Sequence, residues 1–568
     1  MTSQDASTGM RLAHQGRFEE ALPHLDRAHR REPANLALLH ALASALQATG
    51  RRNAAVIRYR DAATALPDHP EILAGWARAA WLAGNKPQAI ELLDRALALD
   101  SAFADPGGML DMIVTGINDP DKAGELLRPL VERHPKCANL VLHFAYLMTN
   151  AERLADACGA FTCYAALRAD DATPHVELSR LATNRGDRDA ALDHLRTALV
   201  LDPDNGAALW EQAQIEGGLL DGDTFAHVEG MTRHTTDPRR LAPLHDVLSR
   251  HFDRAGDFAR AIAHLEPVKA IQRELALPQD HYDPRLRERE ADVTIEMFRP
   301  AWFERMRDAG SSDSRPVFIV GMPRSGTTLL QQMLCGHPGI TSVGEQTFAD
   351  ASFRRAMMAA GDLPMARMPH SVVREAADWH VGQMEDRLVR LSLRTDAERI
   401  IDKLPDNFVF AGWLSAAFPN ATIIHCLRDP RDVAISCWRT NFSRINWTRE
   451  LEHIAHRIEQ HRRMMRHWRA TIGERLTELR YENLIADPEP VLRRLVQAIG
   501  LEWDAGVLEH TGRKGHIRTA SQYQVEAPLN SRGIGHWRNY EFALAPILPR
   551  LEAIVAHDAR EATADLRL

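Results

Sequence analysis

Cysteine is scarce in this chain of 568 residues, and the six present (Cys137, Cys158, Cys163, Cys335, Cys426, Cys437) never fall into a Cys-x-x-Cys spacing. That excludes a disulfide-stapled scaffold and a thiolate zinc centre, and it fits a reducing compartment. Long apolar runs are missing too. No stretch of about 18 or more apolar residues occurs, so no transmembrane helix is expected. Residues 1–15 hold no apolar core of signal-peptide length, and a cytoplasmic location follows as the expectation. There is no surplus of positive charge either: the formal charge is −8 and the pI about 6.4. A dedicated nucleic-acid binder is thereby excluded, while a local basic pocket for one anion stays open. Hydrophobic residues at 45% and charged residues at 26% are ordinary globular values, which argues against extended disorder. The length exceeds what one hydrophobic core supports, so two or three domains are expected.

What is present is, first, a repeat. Gly16, Gly50 and Gly84 are spaced by 34 residues, and Gly186 rejoins the same column. Five residues after each glycine comes an alanine, and that column runs Ala21, Ala55, Ala89, Ala123, Ala157 and Ala191. A proline column runs Pro33, Pro67, Pro135 and Pro203, with Pro238 one residue late. Gly256 and Ala261 look like a last unit out of register. Small residues where paired helices cross, and proline after the second helix, resemble the tetratricopeptide repeat. Each helix pair leaves one apolar face uncovered, and stacking about six or seven units buries those faces in a curved solenoid. Such a surface holds a peptide or protein partner, or it serves only to position or dimerise the other half. Residues 272–308, charged and helical in pattern, read as a connector.

After Arg315 the helical pattern gives way to strands alternating with helices, the mark of a mainly parallel sheet. Strands are expected at Val317–Val320, Arg399–Lys403, Thr422–Leu427 and Leu476–Tyr481. The first runs into Gly321-Met-Pro-Arg-Ser-Gly-Thr-Thr328, and Leu329–Cys335 reads as a helix. Glycines at 321 and 326 permit a tight nest whose amides, with the helix N-terminus, face a bound phosphate. The glycine spacing is that of a Walker A loop, but its lysine position is Thr327. An ATPase or kinase uses that lysine on the terminal phosphates. This loop instead offers Arg324 and the hydroxyls of Ser325, Thr327 and Thr328.

The run "PRSGTTLLQQMLCGHP" followed by "GE" resembles the 5′-phosphosulfate loop of sulfotransferases, and specifically the tyrosylprotein sulfotransferase type, over about residues 315–545. The resemblance implies 3′-phosphoadenosine 5′-phosphosulfate as donor and adenosine 3′,5′-bisphosphate as product. The 5′ side then falls to Arg324, Ser325, Gly326, Thr327 and Thr328. In "LRDPRDVAISCWR", Arg428 at a strand end and Ser436 on the next helix resemble the family's 3′-phosphate site, and arginine offers a planar fork for phosphate. The simpler alternative pairs Arg428 with Asp429 or Asp432. Where the relatives place a further arginine stands Thr440, with Arg439 one residue early. Tyr481 matches the nucleotide-contacting position. In "TASQYQVEAPLNSRGIGHWRNY", Ser521 matches the active-site serine, and His536 stands where relatives carry lysine before tryptophan. Arg532 or Arg538 is then available to compensate.

Sulfuryl transfer needs alignment and charge stabilisation. An acceptor hydroxyl must lose its proton as it attacks, and Glu345, 21 residues after Arg324, matches the family's catalytic base. Lys403, 25 residues before Arg428, matches the catalytic lysine beside the bridging oxygen. Arg324 and Ser521 orient the sulfuryl group, and no metal is demanded. His337 reads as structural, and His453, His456 and His461 lack the carboxylate that would complete a zinc pattern and read as a solvated helix face. Phe348 takes the position where the tyrosylprotein type places the arginine that receives acidic peptides, which leaves protein, glycan and small-molecule hydroxyls open as acceptors. The repeats favour a polypeptide. The expected fold is an all-α tetratricopeptide-repeat solenoid (9–275), a helical connector (276–314) and an α/β P-loop-like sulfotransferase domain (315–556). The competing expectations are a nucleotide-binding repeat scaffold without catalysis and a magnesium-dependent P-loop kinase.

Overall fold

The computed structural model describes residues 4–100, 108–117, 120–442, 445–509 and 529–564. The chain divides into two compact units, Met1–Leu181 with Val200–Asp202, and Ala182–Leu199 with Pro203–Leu568.

The first unit is a series of antiparallel helix pairs: Gln4–His14 with Phe18–Arg31, Leu36–Ala48 with Arg52–Ala65, Pro70–Leu82 with Lys86–Leu99, Met109–Ile117 with Pro120–Arg133, and Ala138–Asn150 with Leu154–Leu167. The columns read from the sequence have physical counterparts. Every alanine of the series Ala21, Ala55, Ala89, Ala123, Ala157 and Ala191 is fully buried, so a larger side chain there would overpack the crossing helices. The glycines close the turn inside each pair in the left-handed region, with φ of +73, +77 and +90° at Gly16, Gly50 and Gly84. The column also passes through Glu152, which holds φ +59° without being glycine.

The second unit opens with further helices, of which the last two form a hairpin, Pro238–Ala255 and Phe258–Glu274. Gly256 ends the first of these in the left-handed conformation. Helices Pro284–Met297 and Pro300–Arg305 lead into a five-stranded sheet. Its strands are β1 (Pro316–Gly321), β2 (Ile340–Gly344), β3 (Arg399–Lys403), β4 (Thr422–Leu427) and β5 (Leu476–Arg480), in the order β2-β3-β1-β4-β5, and all pairs are parallel. Four strands were expected; β2 is the addition, an edge strand of five residues directly after the "GHPG" turn. The loop helix also starts two residues earlier than expected, at Thr327.

Strand β1 is buried at every position because both faces of the sheet are covered. Phe318 and Val320 join a layer with Trp413, Trp468 and Phe298, whereas Val317 and Ile319 join Leu330, Leu334, Leu492 and Leu495. Each such side chain contributes roughly 1.5–3 kcal/mol by leaving water. This packing fixes the carboxyl ends of the strands along one edge, with the chain crossing to β2 and β3 on one side of β1 and to β4 and β5 on the other. Ligands of open α/β sheets bind at such a reversal.

Candidate active site

Every strand delivers a residue anticipated from the sequence at its carboxyl end: the loop after β1, Glu345 after β2, Lys403 ending β3, Arg428 after β4 and Tyr481 after β5. In the loop, the Ser325 hydroxyl and amide both donate to the Met322 carbonyl, at 2.8 and 3.2 Å, which tightens the turn. Arg324 sits at φ +70°, a left-handed conformation that costs a non-glycine residue about 1–2 kcal/mol and clusters at functional sites. Gly326 caps the helix Thr327–Leu334 at φ +96°, and a Cβ there would lie 2.5 Å from the Tyr481 ring. Glycine is required on both counts. Tyr481 therefore forms a wall against the loop, and the Arg428 guanidinium lies over its ring at 4.7 Å.

Two guanidinium groups meet at this loop. Arg428 donates through Nη1 to the Arg324 carbonyl at 2.6 Å and through Nη2 to the Gly533 carbonyl. Arg324 donates through Nε to the Ser436 hydroxyl at 3.0 Å, which joins the loop to the helix Pro430–Arg439. Burial and the adjacent Arg428 charge push Arg324 down to about 10, so the protein environment opposes its charge and a phosphate would relieve it. The alternative pairing of Arg428 with neighbouring aspartates is not what forms: Asp429 binds Arg431 at 2.7 Å, and Asp432 accepts the amides of Gly535 and Trp537.

At the other edge, the fully buried Lys403 Nζ donates to Glu345 Oε1 and, at 3.3 Å, to the Thr328 hydroxyl. Burial lowers the lysine pKa while Glu345 opposes that shift. The Glu345 side chain is 34% exposed, so one carboxylate face meets the ammonium and the other is open to an acceptor. Beneath Lys403, Asp402 is completely buried, its pKa raised by desolvation, and it contacts His380 Nε2 at 3.2 Å. His380 Nδ1 lies 3.4 Å from the Ser352 hydroxyl, which donates to the Ala349 carbonyl and accepts from Trp413 Nε1. This Ser-His-Asp series is sealed in the core and anchors the end of β3.

A second buried chain underlies Arg428. His425 Nδ1 lies 2.8 Å from Glu478, and His425 Nε2 lies 3.2 Å from His461 Nε2. Burial drives the pKa of both histidines down, and His461 well down. Against its own burial, Glu478 is held down to about 2 by His425 and Arg469. Neutral rings in that order make His425 Nδ1–H the donor to Glu478, with His461 Nε2–H donating to His425. His461 Nδ1 is then a buried acceptor without a hydrogen-bond partner among the described residues, and His461 lines a small pocket with Met322, Ser325, Arg428 and Arg462. His456 and His461, expected on a solvated helix face, are instead buried, His456 between Tyr282 and Glu288. His337 is structural as expected, bridging the Glu502 carbonyl and the Gly339 amide. His557, Asp558 and Glu561 lie close together, but Arg462 and Arg469 already engage the two carboxylates.

The corner around Thr440 and His536 is built differently. The Thr440 hydroxyl closes back on the Ser436 carbonyl at 2.7 Å and offers nothing outward. Arg532 and Arg538 are exposed. Arg439 and His536 meet each other at 3.1 Å, and both meet Asp253: Arg439 Nη2 at 2.6 Å and His536 Nε2 at 3.2 Å. The Tyr540 hydroxyl also donates to Asp253. Against the cost of burial, these partners hold the Asp253 carboxyl well below the usual range. Asp253 comes from the helix Pro238–Ala255, and sequence reading missed it because nothing in "HFDRAGDF" marks it. Lys269, from the next helix, was missed too; it is buried, pushed down to about 8 by desolvation, and donates to the Thr440 carbonyl at 3.3 Å. Ser521 lies outside the described residues.

Residues 316–505 match the model of the sulfotransferase family, and residues 40–106 and 176–216 match that of the tetratricopeptide repeat. The chain is 30% identical over 390 residues to an uncharacterized protein of Aquifex aeolicus (strain VF5), covering 66% of this chain and 50% of that protein. It is 26% identical over 254 residues to protein-tyrosine sulfotransferase A of Caenorhabditis elegans, covering 40% and 63% respectively. It thus spans between half and two thirds of these relatives' lengths. Among solved structures, the sulfotransferase domain from the Synechococcus PCC 7002 olefin synthase is 24% identical, with a TM-score of 0.29, over 40% of this chain and 89% of that one.

Proposed function

From a chain that carries a sulfotransferase-family domain together with tetratricopeptide repeats, we propose an enzyme that moves a sulfuryl group from 3′-phosphoadenosine 5′-phosphosulfate to an acceptor hydroxyl. The observation that carries this reading is the placement of Lys403 Nζ, which bonds at once to the loop hydroxyl of Thr328 and to Glu345. An ammonium between an anion loop and an open carboxylate can serve both ends of a group transfer.

In this reading the loop amides of 325–328 and Arg324 hold the 5′-phosphosulfate, and Arg428 with Ser436 holds the 3′-phosphate. The acceptor oxygen attacks sulfur as its proton passes to Glu345. The bond from sulfur to the bridging oxygen breaks, and Lys403 stabilises the charge gathering on that oxygen. The products are a sulfate ester and adenosine 3′,5′-bisphosphate. Lysine is absent from the Walker A position, and the cationic work falls to Arg324, Arg428 and Lys403, so the reaction runs without magnesium. The repeats hold the acceptor, a polypeptide.

The direct test incubates the full chain with donor labelled in its sulfuryl group and a panel of peptides, glycans and small hydroxyl compounds, with a chelator present. Mass spectrometry should find an added sulfo group on an acceptor, and wild-type protein should release the bisphosphate stoichiometrically with it. Transfer that needs magnesium, or phosphoryl transfer from ATP in its place, would sink the reading.

A further inference from the structure

The hairpin Pro238–Ala255/Phe258–Glu274 reaches the carboxyl end of the helix that bears Ser436 and the short helix Asn446–Arg449 after it. Asp253 takes Arg439, Lys269 takes the Thr440 carbonyl, Gln272 bonds Asn441 at 2.7 Å, and Arg273 donates to the Arg449 carbonyl at 3.0 Å. Ser436 and Arg439 lie one helical turn apart and so share a face. Ser436 already accepts from Arg324 of the anion loop. A long arginine on that face has a choice of positions, and burying it without a partner is costly. Asp253 removes the choice: it is 14% exposed, it grips Arg439 through one oxygen, and its other oxygen is held by Tyr540 and His536. Tyr540 in turn packs under the Arg439 guanidinium at 5.1 Å and against Phe258 of the second hairpin helix.

We propose that Asp253 is a positioning residue for nucleotide recognition: from the last helical hairpin it holds Arg439 as the cation that reads the donor's 3′-phosphate, beside a Thr440 that offers none. The inference rests on the donor assignment above. It makes the hairpin part of the transferase site and accounts for its clustering with the C-terminal unit.

The test uses the full chain and calorimetric titration with two probes, adenosine 3′,5′-bisphosphate and adenosine 5′-monophosphate, which differ only in the 3′-phosphate. In Asp253→Ala the bisphosphate should bind about tenfold more weakly while the monophosphate is unchanged, the size expected for one misplaced charge-assisted contact. In an Arg439→Ala background the same substitution should change the preference by less than about twofold, because the group it positions is gone. Asp253→Asn, which keeps the shape and an acceptor for Tyr540, should give a smaller shift in the same direction; it replaces the alanine variant if circular dichroism shows that variant unfolded. Equal losses for both nucleotides, tighter bisphosphate binding, or an undiminished effect in the Arg439→Ala background would each overturn the proposal while leaving the donor assignment standing. Failure of the wild-type protein to prefer the bisphosphate would overturn both.

Discussion

The loop Gly321–Thr328 and the corner formed by Arg439, His536 and Asp253 face the same proposed nucleotide but are assembled in opposite ways. The loop is one continuous run of eight residues whose geometry follows from local chemistry: two glycines, a left-handed arginine and a helix N-terminus. The corner draws on positions 253, 439 and 536, brought together only by tertiary packing. A continuous motif constrains its ligand wherever it is placed, whereas a dispersed cluster depends on every element that supports it. The loop should therefore fail when its own residues change, and the corner when its supports change.

The largest effects are expected where the two meet the chemistry. Lys403→Met should lower single-turnover transfer by about a thousandfold with bisphosphate affinity nearly intact, since the ammonium acts on charge that develops as the bond breaks. Glu345→Gln should behave alike at roughly a hundredfold to ten-thousandfold. Unchanged rates in either would remove these residues from the reaction. Next comes the loop itself. Arg324→Ala should weaken bisphosphate binding about a hundredfold by calorimetry, with an unchanged melting temperature to show that the fold survives.

Gly326→Ala should cost about 1–3 kcal/mol in chemical denaturation, because alanine at φ +96° must also displace the Tyr481 ring. Wild-type stability with alanine there would mean that the loop does not approach Tyr481. Acid acts instead on the buried chain beneath Arg428. The Arg324 charge does not titrate near neutrality, but the floor beneath Arg428 depends on His425 and His461, whose folded pKa values lie below the ordinary 6.5. Their unfolded forms bind protons first as pH falls through about 6.5, so stability is lost below that value and is complete above it. Melting temperatures should drop between about pH 7 and pH 5, and less so in a His461→Phe variant. The smallest effect lies in the repeats: Glu152→Gly should raise stability by about 0.5–1 kcal/mol by relieving a left-handed non-glycine in that turn column.

Legibility followed the same division. The repeats were readable because a small residue is needed where the helices cross and a left-handed residue at each described turn of the column, which stamps a period on the sequence. Glu152 and the late Pro238 are where the stamp slips. The loop, Lys403 and Arg428 were readable because each lies at a strand end inside a short motif. Strand β2 was not, since five residues beside a glycine turn carry too little alternation to stand out, although it is the strand that delivers Glu345. Asp253 and Lys269 were illegible because an acidic or basic side chain on a helix reads as solvated until the fold brings its partner from some 170 to 190 residues away.

The claim on which all of this depends is that the strand-end cluster is a site for a 3′-phosphorylated nucleotide. Calorimetric titration of the full chain with adenosine 3′,5′-bisphosphate and with ATP, each with and without magnesium, tests it most directly. Bisphosphate binding should be unaffected by a chelator and tighter than that of ATP. Magnesium-dependent binding of ATP with no binding of the bisphosphate would contradict it.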